Sequence, residues 1–114
     1  MKQALPPQFV TGKIRVDQIQ QQISAASMTV RPEPKVYDLL IYFCTNQGQI
    51  ITREQLIEHV WQGRIISDNA VNRTVSQLRK LLNQLDLSHE YLETIPRRGY
   101  RFTEHPQNIE TTGK

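Results

Sequence analysis

The stretch SDNAVNRTVSQLRKLLNQL, residues 67–85, carries the pattern that decides the fold. Ser67 and Asp68 are residue types favoured just before a helix, because their side chains accept hydrogen bonds from its first N–H groups. Apolar residues then recur at alternating steps of four and three, at Val71, Val75, Leu78, Leu82 and Leu85. This spacing predicts a helix over 68–85 with one apolar face and one polar face.

The polar face of this helix contains amides, a hydroxyl and cations, at Asn69, Asn72, Arg73, Ser76, Gln77, Arg79 and Lys80. No acidic residue occurs between positions 69 and 80. Asparagine and glutamine can pair with adenine and arginine with guanine, whereas a carboxylate would repel the phosphates. The pattern suits a helix that reads DNA, although a merely solvated polar face would look the same.

A shorter helix precedes it, and a hairpin follows it. Thr52 and Gln55 have the spacing of a capping box, and Gly63 ends the helix that they begin. The short connection over 63–67 resembles the turn of a helix-turn-helix. Downstream, 91–95 and 100–103 read as two strands joined by Pro96-Arg97-Arg98-Gly99, a tip with two adjacent arginines and no acid.

The pattern of apolar residues in the N-terminal half predicts strands followed by a first helix. Alternation of period two between Phe9 and Val30 predicts three short strands with turns near 17–18 and 24–27, with a helical turn over 17–24 as the alternative. Pro34 suits the first position of a helix, which Gly48 would close as a left-handed cap. The apolar face of this helix consists of Val36, Leu39, Leu40, Phe43 and Cys44.

Length and composition limit the alternatives. The 114 residues suffice for one domain, with residues 9–104 as its body, 1–8 as a flexible lead and 105–114 as a flexible tail or the start of a linker. A single cysteine, Cys44, excludes a disulfide framework and a multi-cysteine zinc site, and reads as a small buried hydrophobe. No segment approaches 18 consecutive apolar residues, and no secretory signal begins the chain, so we expect a cytoplasmic location.

Neither a catalytic nor a metal-binding pattern stands out. The sequence contains no glycine-rich phosphate loop and no pairing of nucleophile and base, and its three histidines are widely separated. We therefore expect no enzyme activity, no cofactor and no metal. The net charge of +3 allows a nucleic acid as partner without requiring one. Six of the fourteen cations, and no acids, lie within 69–80 and 94–103.

The segment from Thr52 to Phe102 resembles the effector domain of OmpR/PhoB-type winged-helix transcription regulators. The resemblance is carried by Val60-Trp61, by Leu78-Arg79-Lys80 and above all by the hairpin over 93–102, with its Arg98-Gly99-Tyr100-Arg101. It implies an α+β winged helix-turn-helix fold with a four-stranded antiparallel N-terminal sheet, three helices and a C-terminal hairpin wing. It also implies a sequence-specific, double-stranded DNA-binding transcription regulator, with the third helix in the major groove and the wing, 94–102, at the minor groove.

The resemblance also implies roles for individual residues. By position, the base-edge candidates on the third helix are Asn72, Arg73, Thr74 and Gln77. Ser76 and Lys80 would support them, Arg79 would contact a phosphate, and Asn69 belongs to the same DNA-binding set. The wing would act through Thr94, Arg97 and Arg98. Trp61 would pack against the third helix, with a phosphate contact as the less favoured role.

Further partners are implied in the same way. Members of this family act in signal transduction related to the phosphorelay. They commonly bind direct repeats of DNA as head-to-tail pairs. The resemblance also implies a contact with RNA polymerase. A chain that starts at Met1 has no room for an upstream receiver domain, so this one is more similar to the CadC/ToxR-like regulators. It would then be the cytoplasmic domain of an inner-membrane regulator whose membrane segment lies outside the chain, with a stand-alone regulator as the alternative. The competing hypothesis is a winged-helix module that binds another protein and does not read DNA.

Overall fold

The computed structural model describes residues 5–26 and 28–108, apart from the side chain of Asn108. Four short strands come first: β1 (Gln8–Thr11), β2 (Ile14–Asp17), β3 (Gln22–Ala25) and β4 (Met28–Val30). Three helices follow: α1 (Pro34–Thr45), α2 (Arg53–Val60) and α3 (Asp68–Leu85). The last elements are β5 (Leu92–Ile95), β6 (Gly99–Phe102) and β7 (Pro106–Asn108). None of the described helices combines the length and the apolar character needed to cross a membrane.

The N-terminal region has four strands, so the prediction of three was wrong. Gly12, at a φ of +60°, allows a tight turn between β1 and β2, which divides a segment that was expected to be one strand. Ile19 lies within the segment of apolar alternation, but the structure places it in the turn between β2 and β3, where it is 75% exposed. The strands pair antiparallel in the order β4-β3-β2-β1, and they bury one face that includes Phe9, Ile14 and Ile23.

The ordered structure extends beyond both predicted domain boundaries. Gln8, assigned to the lead, begins β1, and Gln18 donates hydrogen bonds to the carbonyls of Leu5 and Pro6. The predicted tail contains β7, which pairs with the free edge of β1 and makes the sheet five-stranded instead of four-stranded. β7 has no apolar alternation, so its backbone pairing left no signal in the sequence. The remainder of the tail, 109–114, and of the lead, 1–4, lies outside the described residues.

The three helices begin where the sequence predicts. Pro34 occupies the first turn of α1. Thr52 and Gln55 exchange both hydrogen bonds of a capping box at the start of α2, and the Ser67 hydroxyl accepts from the N–H of Ala70 at the start of α3. The predicted cap of α1 was wrong: the helix ends at Thr45, since the Asn46 amide donates to the carbonyl of Tyr42. Gly48 lies further on.

The core lies between the sheet, the helices and the hairpin. The predicted apolar face of α1 is buried, as are Val71, Val75, Leu78 and Leu82 of α3. Cys44 is 2% exposed, and burial raises the pKa of its thiol, so it remains a protonated core residue. Trp61 is 7% exposed and belongs to the same core, in keeping with a packing role.

The hairpin β5–β6 pairs through its backbone with the segment that joins α1 to α2. Ile51 and Tyr100 exchange two backbone hydrogen bonds of 2.7 and 2.9 Å, so Ile51 acts as a third strand beside β6. The strand β6 begins at Gly99, whose φ is +147°. With three helices, an N-terminal sheet and this C-terminal hairpin, the fold is the expected winged helix.

A polar network closes the far end of α3. Asp86, the residue that caps the helix, accepts hydrogen bonds from Ser88 and from the Tyr91 hydroxyl, the latter at 2.6 Å. The same hydroxyl accepts from the N–H of Lys13 in the β1–β2 turn at 3.0 Å. Hydrogen bonds from Ser88 and Tyr91 lower the pKa of Asp86 to about 2. The network therefore holds a carboxylate between the sheet, α3 and the approach to β5.

We expect Gly99→Ala to destabilise the fold by about 2–3 kcal/mol, since a Cβ at this position would overlap the carbonyl of Ile51 and the backbone has a positive φ. Gly48→Ala is the matched control, because Gly48 also has a positive φ (+83°) but no atom near the added Cβ. Urea denaturation measures the free energy of unfolding of both variants. The loss in Gly48→Ala reports backbone strain alone, and the additional loss in Gly99→Ala reports the steric overlap. Equal losses in the two variants would contradict the close approach at Ile51.

The lowered pKa of Asp86 predicts pH-dependent stability. Because the folded pKa of about 2 lies below the ordinary value of 3.8, the carboxylate stabilises the fold above about pH 4 and loses this effect as the pH falls towards 2. Asp86→Asn should therefore be less stable than the wild type at pH 7, with a difference that shrinks steadily below pH 4. Urea denaturation at several pH values measures this, and a constant difference across the range would contradict the assignment.

Candidate nucleic-acid interface

The outer face of α3 presents the polar residues that the sequence predicted there. Six of the predicted residues are exposed, opposite the buried apolar face: Asn69, Asn72, Arg73, Ser76, Gln77 and Lys80. Thr74 is half-buried, and its hydroxyl donates to the carbonyl of Ala70 at 3.1 Å, one turn back in the same helix. The accessible polar groups on this face are therefore amides, a hydroxyl and cations.

Arg79 lies in a different setting from its neighbours. It is half-buried and donates from Nε and Nη2 to the carbonyl of Leu92, both at 3.3 Å, and from Nη2 to the Thr94 hydroxyl at 2.7 Å. The planar guanidinium group of Arg79 thereby connects α3 to β5. The resemblance assigned Arg79 to a phosphate and Thr94 to the wing surface, whereas here the two side chains bind each other.

The wing tip exposes its two predicted arginines. Arg97 adopts a positive φ of 66°, and the N–H of Arg98 donates to the carbonyl of Ile95, which closes the turn. Both side chains are exposed. Arg101, further along β6, is instead paired with Glu93 across the hairpin at 2.9 Å.

The cations of the helix and the wing thus fall into two groups. Arg79 and Arg101 are engaged inside the domain. Four others form no ion pair within the described part of the chain: Arg73, Lys80, Arg97 and Arg98. These four have their charge available for an anionic partner, and they occupy the outer face of α3 and the tip of the wing.

A groove of about 280 Å³ lies between the start of α3, α2 and the wing. It is lined by Arg53 and Asp68 on one side and by Arg97 and Arg98 on the other. Arg53 and Asp68 form an exposed ion pair with an N–O distance of 3.7 Å. Arg53 was not among the predicted site residues, because it is remote from the wing in the sequence and only the fold brings it to the same groove.

The helix and the wing also meet through Asn72 and Tyr100. The Tyr100 hydroxyl donates to Oδ1 of Asn72 at 3.1 Å. Tyr100 is 8% exposed and belongs to the core, and its contact with Asn72 could not be predicted from the sequence. Together with the link from Arg79, it holds the wing at a defined position beside α3.

Two of the histidines, His59 and His89, are engaged with other side chains of the domain. His59 stacks on Tyr42, and His89 pairs with Glu104 at an N–O distance of 2.8 Å. Within 5–26 and 28–108, no group of three potential ligand side chains is arranged to hold a metal ion. The chemistry available at the surface of α3 and the wing is hydrogen bonding and charge.

Sequence comparison finds transcription regulators. The chain is 37% identical over 81 residues to the transcriptional activator CadC of Escherichia coli, an alignment that covers 70% of this chain and 16% of that protein. It is 29% identical over 93 residues to the phosphate regulon transcriptional regulatory protein PhoB of Pseudomonas aeruginosa, covering 81% of this chain and 40% of that protein. The chain thus spans less than half the length of either relative.

Structural comparison gives the same result. The DNA-binding domain of E. coli CadC superimposes with a TM-score of 0.81 at 32% identity, over 90% of this chain and 97% of that one. The DNA-binding domain of Klebsiella pneumoniae RstA, solved in complex with the RstA box, superimposes with a TM-score of 0.72 over 86% of this chain and 98% of that one. At 24% identity, the RstA match supports the fold alone.

The model of one protein family matches residues 27–102, which include all three helices and the wing. The family consists of transcriptional regulatory proteins. This chain belongs to the family described as the C-terminal domain of transcriptional regulatory proteins.

Proposed function

We propose that this chain is the sequence-specific DNA-binding domain of a transcription regulator, with α3 in the major groove and the wing, 94–102, at the adjacent minor groove. One observation carries the proposal: the exposed face of α3 is free of acids over 69–80 and lies beside a wing tip with two exposed arginines that form no ion pair among the described residues. Phosphates surround any protein element that enters a groove, so such a surface is suited to DNA.

The dimensions of α3 agree with this role. Its 18 residues make a helix roughly 27 Å long. An α-helix with its side chains is about 10–12 Å across, which matches the width of about 12 Å of the major groove. We propose that the N-terminal two-thirds of the helix, which carry the amides and Arg73, face the base edges.

The residue roles follow from accessibility. We assign base contacts to Asn72, Arg73 and Gln77, with Asn69 and Ser76 beside them, and phosphate contacts to Lys80, Arg97 and Arg98. Since the Thr74 hydroxyl is already bonded within the helix, we assign no hydrogen bond with DNA to it. We propose that Arg79 acts mainly as a brace that positions the wing through Thr94.

The wider setting follows from the relatives. CadC is named a transcriptional activator, and we propose that this domain serves a regulator of the same general kind. Head-to-tail pairing on direct repeats and a contact with RNA polymerase are part of this proposal. A cytoplasmic location follows as well, since the DNA of bacteria lies there.

We expect Arg98→Ala and Gln77→Ala to affect DNA binding in different ways. Loss of a phosphate contact should weaken binding to all sequences about alike and reduce the slope of log K against log[salt] by about one. Loss of a base contact should instead change which base is preferred at one position, by about 1–3 kcal/mol. Selection from a random DNA pool, followed by titrations at several salt concentrations, measures both effects.

Arg15→Ala is the matched control, because Arg15 is an exposed arginine on β2, away from the wing. This variant should leave affinity and base preference unchanged. If the wild type retains no sequence from the pool at low salt, the proposal is wrong, and the same surface would then serve a protein partner. Equal losses for Arg15→Ala and Arg98→Ala would contradict the assigned role of the wing.

The variant Arg79→Lys tests whether Arg79 positions the wing or only contributes a positive charge for a phosphate. Lysine keeps the charge but cannot reproduce the fork that binds both Leu92 and Thr94. We expect the variant to lose about 1 kcal/mol of stability and also to bind DNA more weakly. A variant with unchanged unfolding free energy, affinity and salt dependence would show that only the charge of Arg79 matters.

A further inference from the structure

The contact between Asn72 and Tyr100 links the proposed reading surface to the interior of the domain. Asn72 is exposed on the outer face of α3, whereas Tyr100 is buried in β6. The Tyr100 hydroxyl donates to Asn72 Oδ1 at 3.1 Å. An exposed amide on a helix ordinarily rotates among several rotamers, so a fixed partner limits the directions in which its two ends can point.

Tyr100 is itself held firmly. Its backbone pairs with Thr94 of β5 on one side and with Ile51 on the other, through hydrogen bonds of 2.7 and 2.9 Å. Its ring packs edge-on against Phe43 of α1, with centroids 6.5 Å apart and planes at 80°. The position of the hydroxyl is therefore set by the core and is not adjusted to suit the surface.

The hydrogen bond from Tyr100 makes the oxygen of the Asn72 amide less available to a DNA base than its nitrogen. An asparagine that reads adenine uses both ends, since Oδ1 accepts from N6 and Nδ2 donates to N7. Here one of the two lone pairs of Oδ1 accepts from Tyr100, whereas the amide nitrogen keeps both of its N–H donors for a partner.

We propose that Tyr100 is a positioning residue for sequence readout, and that it holds Asn72 so that Nδ2 donates to a base that presents only acceptors. Guanine fits best, because its N7 and O6 lie side by side in the major groove. Asn72 then reads guanine as a donor and does not read adenine with both ends. The inference rests on the proposed function, which supplies the DNA.

The contact can be tested without DNA. Nitrogen-15 relaxation of the side-chain amides in the free chain should find the Asn72 NH₂ group ordered and that of Asn83, exposed on the same helix, mobile. Tyr100→Phe keeps the ring and removes the hydroxyl, so it should make the Asn72 amide as mobile as that of Asn83. Tyr91→Phe is the matched control: it also removes a bonded tyrosine hydroxyl, but one that binds Asp86, and should leave Asn72 ordered. An Asn72 amide that is already mobile in the wild type, or unaffected by Tyr100→Phe, would overturn the proposal.

The readout is tested by selecting DNA sequences with the wild type, Asn72→Ala, Tyr100→Phe and the double variant. Asn72→Ala should reduce the preference for guanine at one position about fivefold, as expected for one lost hydrogen bond. Tyr100→Phe should reduce it about threefold at the same position, and the double variant should match Asn72→Ala, because Tyr100 acts through Asn72.

Two results would overturn the readout role. One is a preference for adenine that Asn72→Ala abolishes, and the other is an effect of Tyr100→Phe that adds fully to that of Asn72→Ala. Failure of the wild type to bind any sequence would instead refute the proposed function and the readout with it. The relaxation measurement would still decide whether Tyr100 orients Asn72.

Discussion

The backbone pairing between Ile51 and Tyr100 is the constraint on which the functional surface depends. It ties the hairpin to the segment just before α2, and the close approach requires a glycine at position 99. A two-stranded hairpin such as β5–β6 has little stability of its own in water, and this pairing gives it a third backbone partner in addition to the core packing of Leu92 and Phe102. Because the wing is fixed here, its tip stands at a defined position beside α3, and the two can act as one surface.

Two side chains, Tyr100 and Arg79, also connect the wing to α3. Tyr100 completes the core next to Phe43 and also bonds Asn72 on the exposed face of α3. Arg79 belongs to the polar half of α3 but binds the carbonyl of Leu92 and the hydroxyl of Thr94. Asn72 and Arg79 are seven residues apart, so these two links lie on the same side of the helix, about two turns from each other. They join the helix and the wing through groups that, in an isolated helix, would simply be solvated.

The parts of the fold that the sequence predicted are those with local causes. The start of α2 follows from the reciprocal hydrogen bonds of Thr52 and Gln55, only three residues apart, and α3 follows from the Ser67 cap and a repeat of period 3.6. The errors occur where the cause was non-local or the signal weak. Gly12 divides the first strand in two, and β7 forms because the edge of β1 needs partners for its backbone, whatever side chains the partner strand has.

The candidate site divides in the same way. The sequence by itself determined that α3 has an acid-free polar face and that the hairpin tip carries Arg97 and Arg98, because both properties belong to short segments. Only the tertiary structure decided that Arg79 faces the hairpin, that Arg53 lies across a groove from the wing tip, and that one end of the Asn72 amide is occupied. The physical reason is that a hydrogen bond depends on distances of about 3 Å between atoms, and such distances between remote residues exist only once the core has packed.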